Sequence, residues 1–194
     1  MSRDVDVLGD RETLTALAKV IGAKPQFFPL KPPTNEIGVV IAHDATGQPL
    51  LVEVLRTVHG VTNHELSESA YAMALGERKI RVQVPDPITL LKAKIANVAD
   101  LAQSGRQDAR HVVILAQLMP AFLADLVHSC TQGRLDERGV IKHLENLLSV
   151  VTEAKAKRVL AGLKITPSDL FSGLSAGDLP KVAAFVTKRL PRLI

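Results

Sequence analysis

The chain has 194 residues, enough for one large domain or two small ones, and 46% of them are apolar, which allows a buried core and excludes wholesale disorder. The start MSRDVDVLGD lacks the basic-then-apolar build of a secretory signal, and no run approaches the ~18 apolar residues of a membrane span. Cys130 is the only cysteine, so an intrachain disulfide and a multi-cysteine zinc site are excluded, and the cytoplasm is the expected compartment. The net charge of +4 is uneven: residues 151–194 hold eight Lys or Arg against three Asp or Glu, which suits either a polyanion partner or a solvated helix face.

Residues 4–8, DVDVL, alternate polar and apolar and read as a strand. Asp10 is placed to cap a helix over 11–21, and Gly22 to end it. Four prolines make 25–36 an irregular connection. Residues 38–42 and 50–58 flank the turn-rich DATGQP and read as a β-hairpin. Residues 67–75 fit a short helix or a strand equally, and 79–84 are a strand closed by Pro85 and Pro87. Helical spacing then takes over, across 88–101, 109–127 with a kink expected at Pro120, and 135–163. A turn is expected at 169–173, and a last helix ends at Leu190, capped by Asp178 with Pro180 in its first turn. Strands before Pro85 and helices after it predict an α+β protein: a small mixed sheet with flanking helices over residues 1–87, then a helical bundle over 88–194.

The acidic residues are the most informative. Asp4 and Asp6 are two apart in a predicted strand, so both project from one face while Val5 and Val7 face the other way. Two carboxylates side by side repel, and a divalent cation relieves this; Mg²⁺ typically takes one or two protein carboxylates together with substrate phosphates. Glu53 interrupts the apolar run LLVEVL, an arrangement that is rarely buried without a partner. Brought beside the first strand, it completes a three-carboxylate cluster able to hold two metal ions roughly 3.5–4 Å apart for phosphoryl chemistry. Read residue by residue, each acid also fits a solvated strand face.

The succession D-x-D, helix, hairpin, apolar-Glu-apolar resembles the nucleotidyltransferase superfamily with the DNA polymerase β-like fold, carried by Asp4-Val5-Asp6-Val7 and Val52-Glu53-Val54. The likeness extends to uncharacterised bacterial members and to toxins of abortive-infection toxin–antitoxin pairs, through Ile80-Arg81-Val82 before Pro85, Leu90-Leu91-Lys92-Ala93-Lys94-Ile95, and Gly105-Arg106-Gln107-Asp108. It covers roughly residues 1–120. The resemblance implies that Asp4, Asp6 and Glu53 ligate Mg²⁺ or Mn²⁺, and that Glu53 serves as a ligand or as the base for an acceptor hydroxyl. It further implies that Lys94 and Arg106 meet the phosphates of a nucleoside triphosphate, with Lys92 as the alternative lysine, and that Asp108 is the family's late catalytic aspartate. The family's Gly-Ser motif lies ahead of D-x-D, and only Met1, Ser2 and Arg3 precede Asp4 here. A start downstream of the true one, or a decayed member, is therefore expected, with an exposed sheet edge that invites homo-oligomers.

Two functions follow. One is metal-dependent transfer of a nucleoside monophosphate from a triphosphate to an acceptor hydroxyl, on RNA, a protein or a small molecule. The other is a catalytically inactive scaffold that binds protein or nucleic acid through its helical half. Cys130 is expected in a loop-like segment with no activating partner, and the six histidines form no zinc motif. His111, three residues after Asp108, is placed to orient it.

Overall fold

A computed structural model describes residues 4–29, 35–75 and 80–193; the side chains at 4, 75, 80 and 192 lie outside that description, as do the expected start of the strand at Lys79 and part of the proline-rich connection. The chain divides into two compact units, Met1–Val58 and His59–Ile194.

The first unit begins with strand β1 (Asp4–Leu8) and helix α1 (Arg11–Ile21). Asp10 caps α1 by accepting from the Thr13 amide at 2.8 Å, and Gly22 ends it in the left-handed region at φ 75°. Strands β2 (Gln26–Phe27), β3 (Glu36–His43) and β4 (Pro49–Leu55) follow. The turn between β3 and β4 is organised by Asp44, whose carboxylate accepts from the Thr46 and Gln48 amides, with Gly47 at φ 79°. The sheet order is β1-β4-β3-β2; β1 runs parallel to β4 and the other pairs are antiparallel. Helix α1 covers one face, where Leu14 and Ala18 pack on Ile37, Val40 and Val54. Gly38 has no alternative there: a Cβ would stand 2.1 Å from the Gln26 carbonyl and 2.7 Å from Leu14.

The second unit opens with helix α2 (Asn63–Glu68) and the hairpin of β5 (Ala70–Leu75) and β6 (Ile80–Pro85). The ambiguous stretch 67–75 is thus the end of a helix and then a strand. Helices α3 (Pro87–Asp100), α4 (Asp108–Thr131), α5 (Glu137–Thr152), α6 (Ala154–Gly162) and α7 (Pro180–Lys188) complete the unit, with 3-10 turns at Pro167–Phe171 and Leu190–Leu193. Its core is built on Leu91, Leu123, Leu144, Leu147 and Leu160, all fully buried. Each contributes about 1.5–3 kcal/mol on leaving water.

The α+β character is as expected, but the division of the chain is at Val58–His59 rather than near Pro85–Pro87. The reason is local. The β5–β6 hairpin is a separate two-stranded sheet, Tyr71 on β5 meets Phe122 on α4 edge-on at 6.2 Å, and Asp86, next to β6, caps α3 directly.

Other expectations are corrected by tertiary packing. Helix α4 runs through Pro120 unbroken, because Met119 and Leu123 on either side are fully buried and outweigh one lost backbone bond. Cys130 lies in its last turn, half-buried, not in a loop. The helix expected over 135–163 breaks at Glu153, which is extended at φ −59° and ψ 138°. Asp178 does not cap α7; the Glu137 carboxylate reaches across from α5 and accepts from the Lys181 amide at 2.6 Å and the Val182 amide at 3.3 Å. Among the described residues α4 alone is long and apolar enough to cross a membrane, and its inner face lines the helical core through Val112, Met119, Leu123 and Leu126.

Glu65 joins α2 to α3. It closes a capping box with Thr62 and pairs with Lys92, the alternative lysine of the sequence reading. The Lys92 ammonium, then the Thr62 amide, hold its carboxyl down at about 2. Because the folded value is depressed, the stabilisation is present above the ordinary value of about 4.3 and is lost as pH falls towards 2. Glu65 is 41% exposed, so solvent screening leaves it about 0.5–1 kcal/mol. Urea titrations between pH 5 and 2.5 are expected to show Glu65→Gln losing less stability than wild type; equal slopes would remove Glu65 from the acid response.

Candidate functional site

Two side-chain clusters carry chemistry, one in each unit. In the first unit the parallel pairing sets Asp6 opposite Glu53 and Asp4 opposite Leu51. Residues in register on adjacent strands point to the same face, and strands lie about 4.8 Å apart. Asp6 and Glu53 therefore share the face away from α1, while Val5, Val7, Val52 and Val54 take the other. Asp6 is exposed on the edge strand and Glu53 is half-buried one strand in, flanked by the buried Val39 on β3. The apolar residues on either side of each acid thus fix which way it points.

The Asp4 side chain lies outside the described residues. Among those described, no group of three His, Cys, Asp or Glu stands ready to hold a metal ion. What stands together is a pair of hard oxygen donors from neighbouring strands. That pair suits a Mg²⁺ or Mn²⁺ ion that keeps some of its coordination for water and phosphate oxygen.

The second cluster closes the α3–α4 connection. Asp108, at the first position of α4, is 3% exposed. Its Oδ1 accepts from Lys94 Nζ and Asn97 Nδ2, each at 3.1 Å, and its Oδ2 accepts from Arg106 Nε at 2.6 Å. Burial pushes the Asp108 carboxyl up, but the bonds from Asn97, Arg106 and Lys94 outweigh it and hold it below the usual carboxylate value. Placement at a helix N-terminus favours the same charge. An ionised, fully engaged carboxylate is a poor proton acceptor, so Asp108 positions Lys94 and Arg106 rather than taking a proton. Those two side chains are 28% and 42% exposed and keep part of their cationic surface in solvent.

The structure thus brings together Lys94, Arg106 and Asp108, and separately Asp6 and Glu53. His111 is not among the partners of Asp108. Asn97 is, and the sequence reading missed it; its only local trace is a polar residue one turn after Lys94. Also missed was Asp86, 1% exposed, whose Oδ1 accepts from the Thr89 amide at 2.6 Å while Oδ2 lies 3.3 Å from His143 Nδ1. Its place before Pro87 is a helix-start signal, but the distant histidine partner has no local trace.

Comparison with family models, with curated proteins and with solved structures gives no match.

Proposed function

We propose that this chain is a nucleotidyltransferase of the DNA polymerase β-like fold, transferring a nucleoside monophosphate from a triphosphate to an acceptor hydroxyl and releasing pyrophosphate. The observation that carries the reading is the parallel register of β1 and β4, with Asp6 beside Glu53 on the face of the sheet away from α1. A strand bearing D-x-D next to a strand bearing a lone Glu is an arrangement suited to holding divalent metal for phosphoryl transfer.

In this reading Asp4, Asp6 and Glu53 would hold the ion, which would supply charge neutralisation at the transferring phosphoryl group and an acidified acceptor hydroxyl. Asp6, on the exposed edge, faces the incoming triphosphate. Glu53, more buried, orients the acceptor oxygen and receives its proton. In the second unit, Asp108 keeps Lys94 and Arg106 in place as a separate cationic cluster suited to phosphate charge. RNA or a protein is the proposed acceptor.

The test is transfer from an α-labelled nucleoside triphosphate in Mg²⁺ or Mn²⁺, onto RNA or protein, by wild type and Glu53→Gln. A fall of about 100-fold or more in transfer by the variant, with unchanged circular dichroism, is expected. Equal transfer by the variant would remove Glu53 from the chemistry, and transfer by neither protein would favour the inactive scaffold.

A further inference from the structure

Helix α4 buries only part of an unusually apolar surface: 28% of its most apolar 18-residue window is covered. The exposed residues Arg110, Ile114, Gln117, Leu118, Ala121 and Asp125 form a stripe along it, beside the exposed Ala124 and His128. Their spacing of three and four keeps them in line on one helical face. Ile114 and Leu118 are 48% and 46% exposed, well above what a helix in a finished core leaves in water.

The order of residues along this stripe identifies its occupant. Turned end for end about a point between Gln117 and Leu118, it sets Arg110 against Asp125, Ile114 against Ala121, and Leu118 beside its own image. Opposite charges meet at both ends, a large side chain meets a small one inside them, and leucine meets leucine near the centre. A surface that complements itself after a half-turn is what a twofold-symmetric dimer needs. Neither end charge is already used: Arg110 makes only a 3.4 Å bond to Gln107, and Asp125 has no ion pair among the described residues. Over the roughly 22 Å between the two ends, the small Ala121 allows helix axes to approach within the usual 8–10 Å.

We propose that this face of α4 is a self-association surface, on which α4 packs antiparallel against α4 of a second copy of the chain. The inference stands on the second unit alone and does not depend on the nucleotidyltransferase reading. Its edge charges set partner and orientation, and Ile114 and Leu118 supply the buried centre.

Sedimentation velocity on the full chain from 1 to 200 µM tests it. A dimer is expected, weakened at least ~10-fold by Arg110→Glu and by Asp125→Arg, because each places like charges face to face at both ends. The double exchange R110E/D125R is expected to return to within about 3-fold of wild type, since it restores both pairs with reversed sign. Both positions are exposed, so the fold is retained, as circular dichroism checks directly. In a Cys130→Ser background, Leu118→Cys is expected to form an interchain disulfide under mild oxidation, whereas Arg110→Cys forms none with itself. A monomer throughout the concentration range would overturn the proposal. So would a dimer indifferent to the charge exchanges, or a monomer that instead partitions onto phosphatidylcholine vesicles.

Discussion

Replacing Asp108 by alanine is expected to lower the stability of the helical unit by about 2–4 kcal/mol. The carboxylate is almost fully buried, and three donors from two elements converge on it. Its removal leaves Asn97, itself buried, with an unpaired amide, which costs about 1–3 kcal/mol. Lys94 and Arg106 retain access to water, so the loss stays below that of a fully enclosed ion pair. The α3–α4 connection would loosen, since Asp108 links the end of α3 to the start of α4. Urea unfolding followed by circular dichroism measures the effect as a shift in midpoint at constant slope. Adding Lys94→Met to the variant is expected to recover about 1 kcal/mol, because one stranded charge is then removed. A loss under about 1 kcal/mol for Asp108→Ala would mean that water reaches the cluster freely.

Asp6→Asn is expected to weaken Mg²⁺-dependent triphosphate binding by about 10–100-fold. The change keeps the size of the side chain and its place on an exposed edge strand, so stability is expected to stay within about 0.5 kcal/mol. The amide removes one of two negative charges beside each other in register and leaves Glu53 as the single carboxylate of the pair. Calorimetric titration with and without EDTA separates the metal-borne part of the affinity. With EDTA present, wild type and variant are expected to bind alike. Identical affinity in Mg²⁺ would remove the acidic pair from nucleotide binding.

The strongly local features were legible in the sequence. Asp10 and Gly22 bracket α1 through short-range bonds, and the alternation in DVDVL sets which residues face the sheet core. The placement of Asp6 beside Glu53 was an inference across 46 intervening positions, and the apolar residues flanking each acid supported it by fixing their faces. The K-then-R-x-D pattern led to Lys94, Arg106 and Asp108, and the structure brings them together. What was illegible depends on contacts distant in sequence. Nothing around Pro180 announces that Glu137 supplies the cap of α7. Nothing around Pro85 announces that the hairpin belongs with the helices, because that depends on Tyr71 meeting Phe122. Pro120 reads locally as a kink, and only the burial of its neighbours keeps α4 whole.

The most direct measurement is the anomalous scattering of Mn²⁺ in crystals of the full chain grown with the ion and a non-hydrolysable triphosphate. A manganese peak is expected beside the Asp6 and Glu53 carboxylates, and its loss is expected in Asp6→Asn. A nucleotide held with no manganese at these two acids would contradict the proposed function.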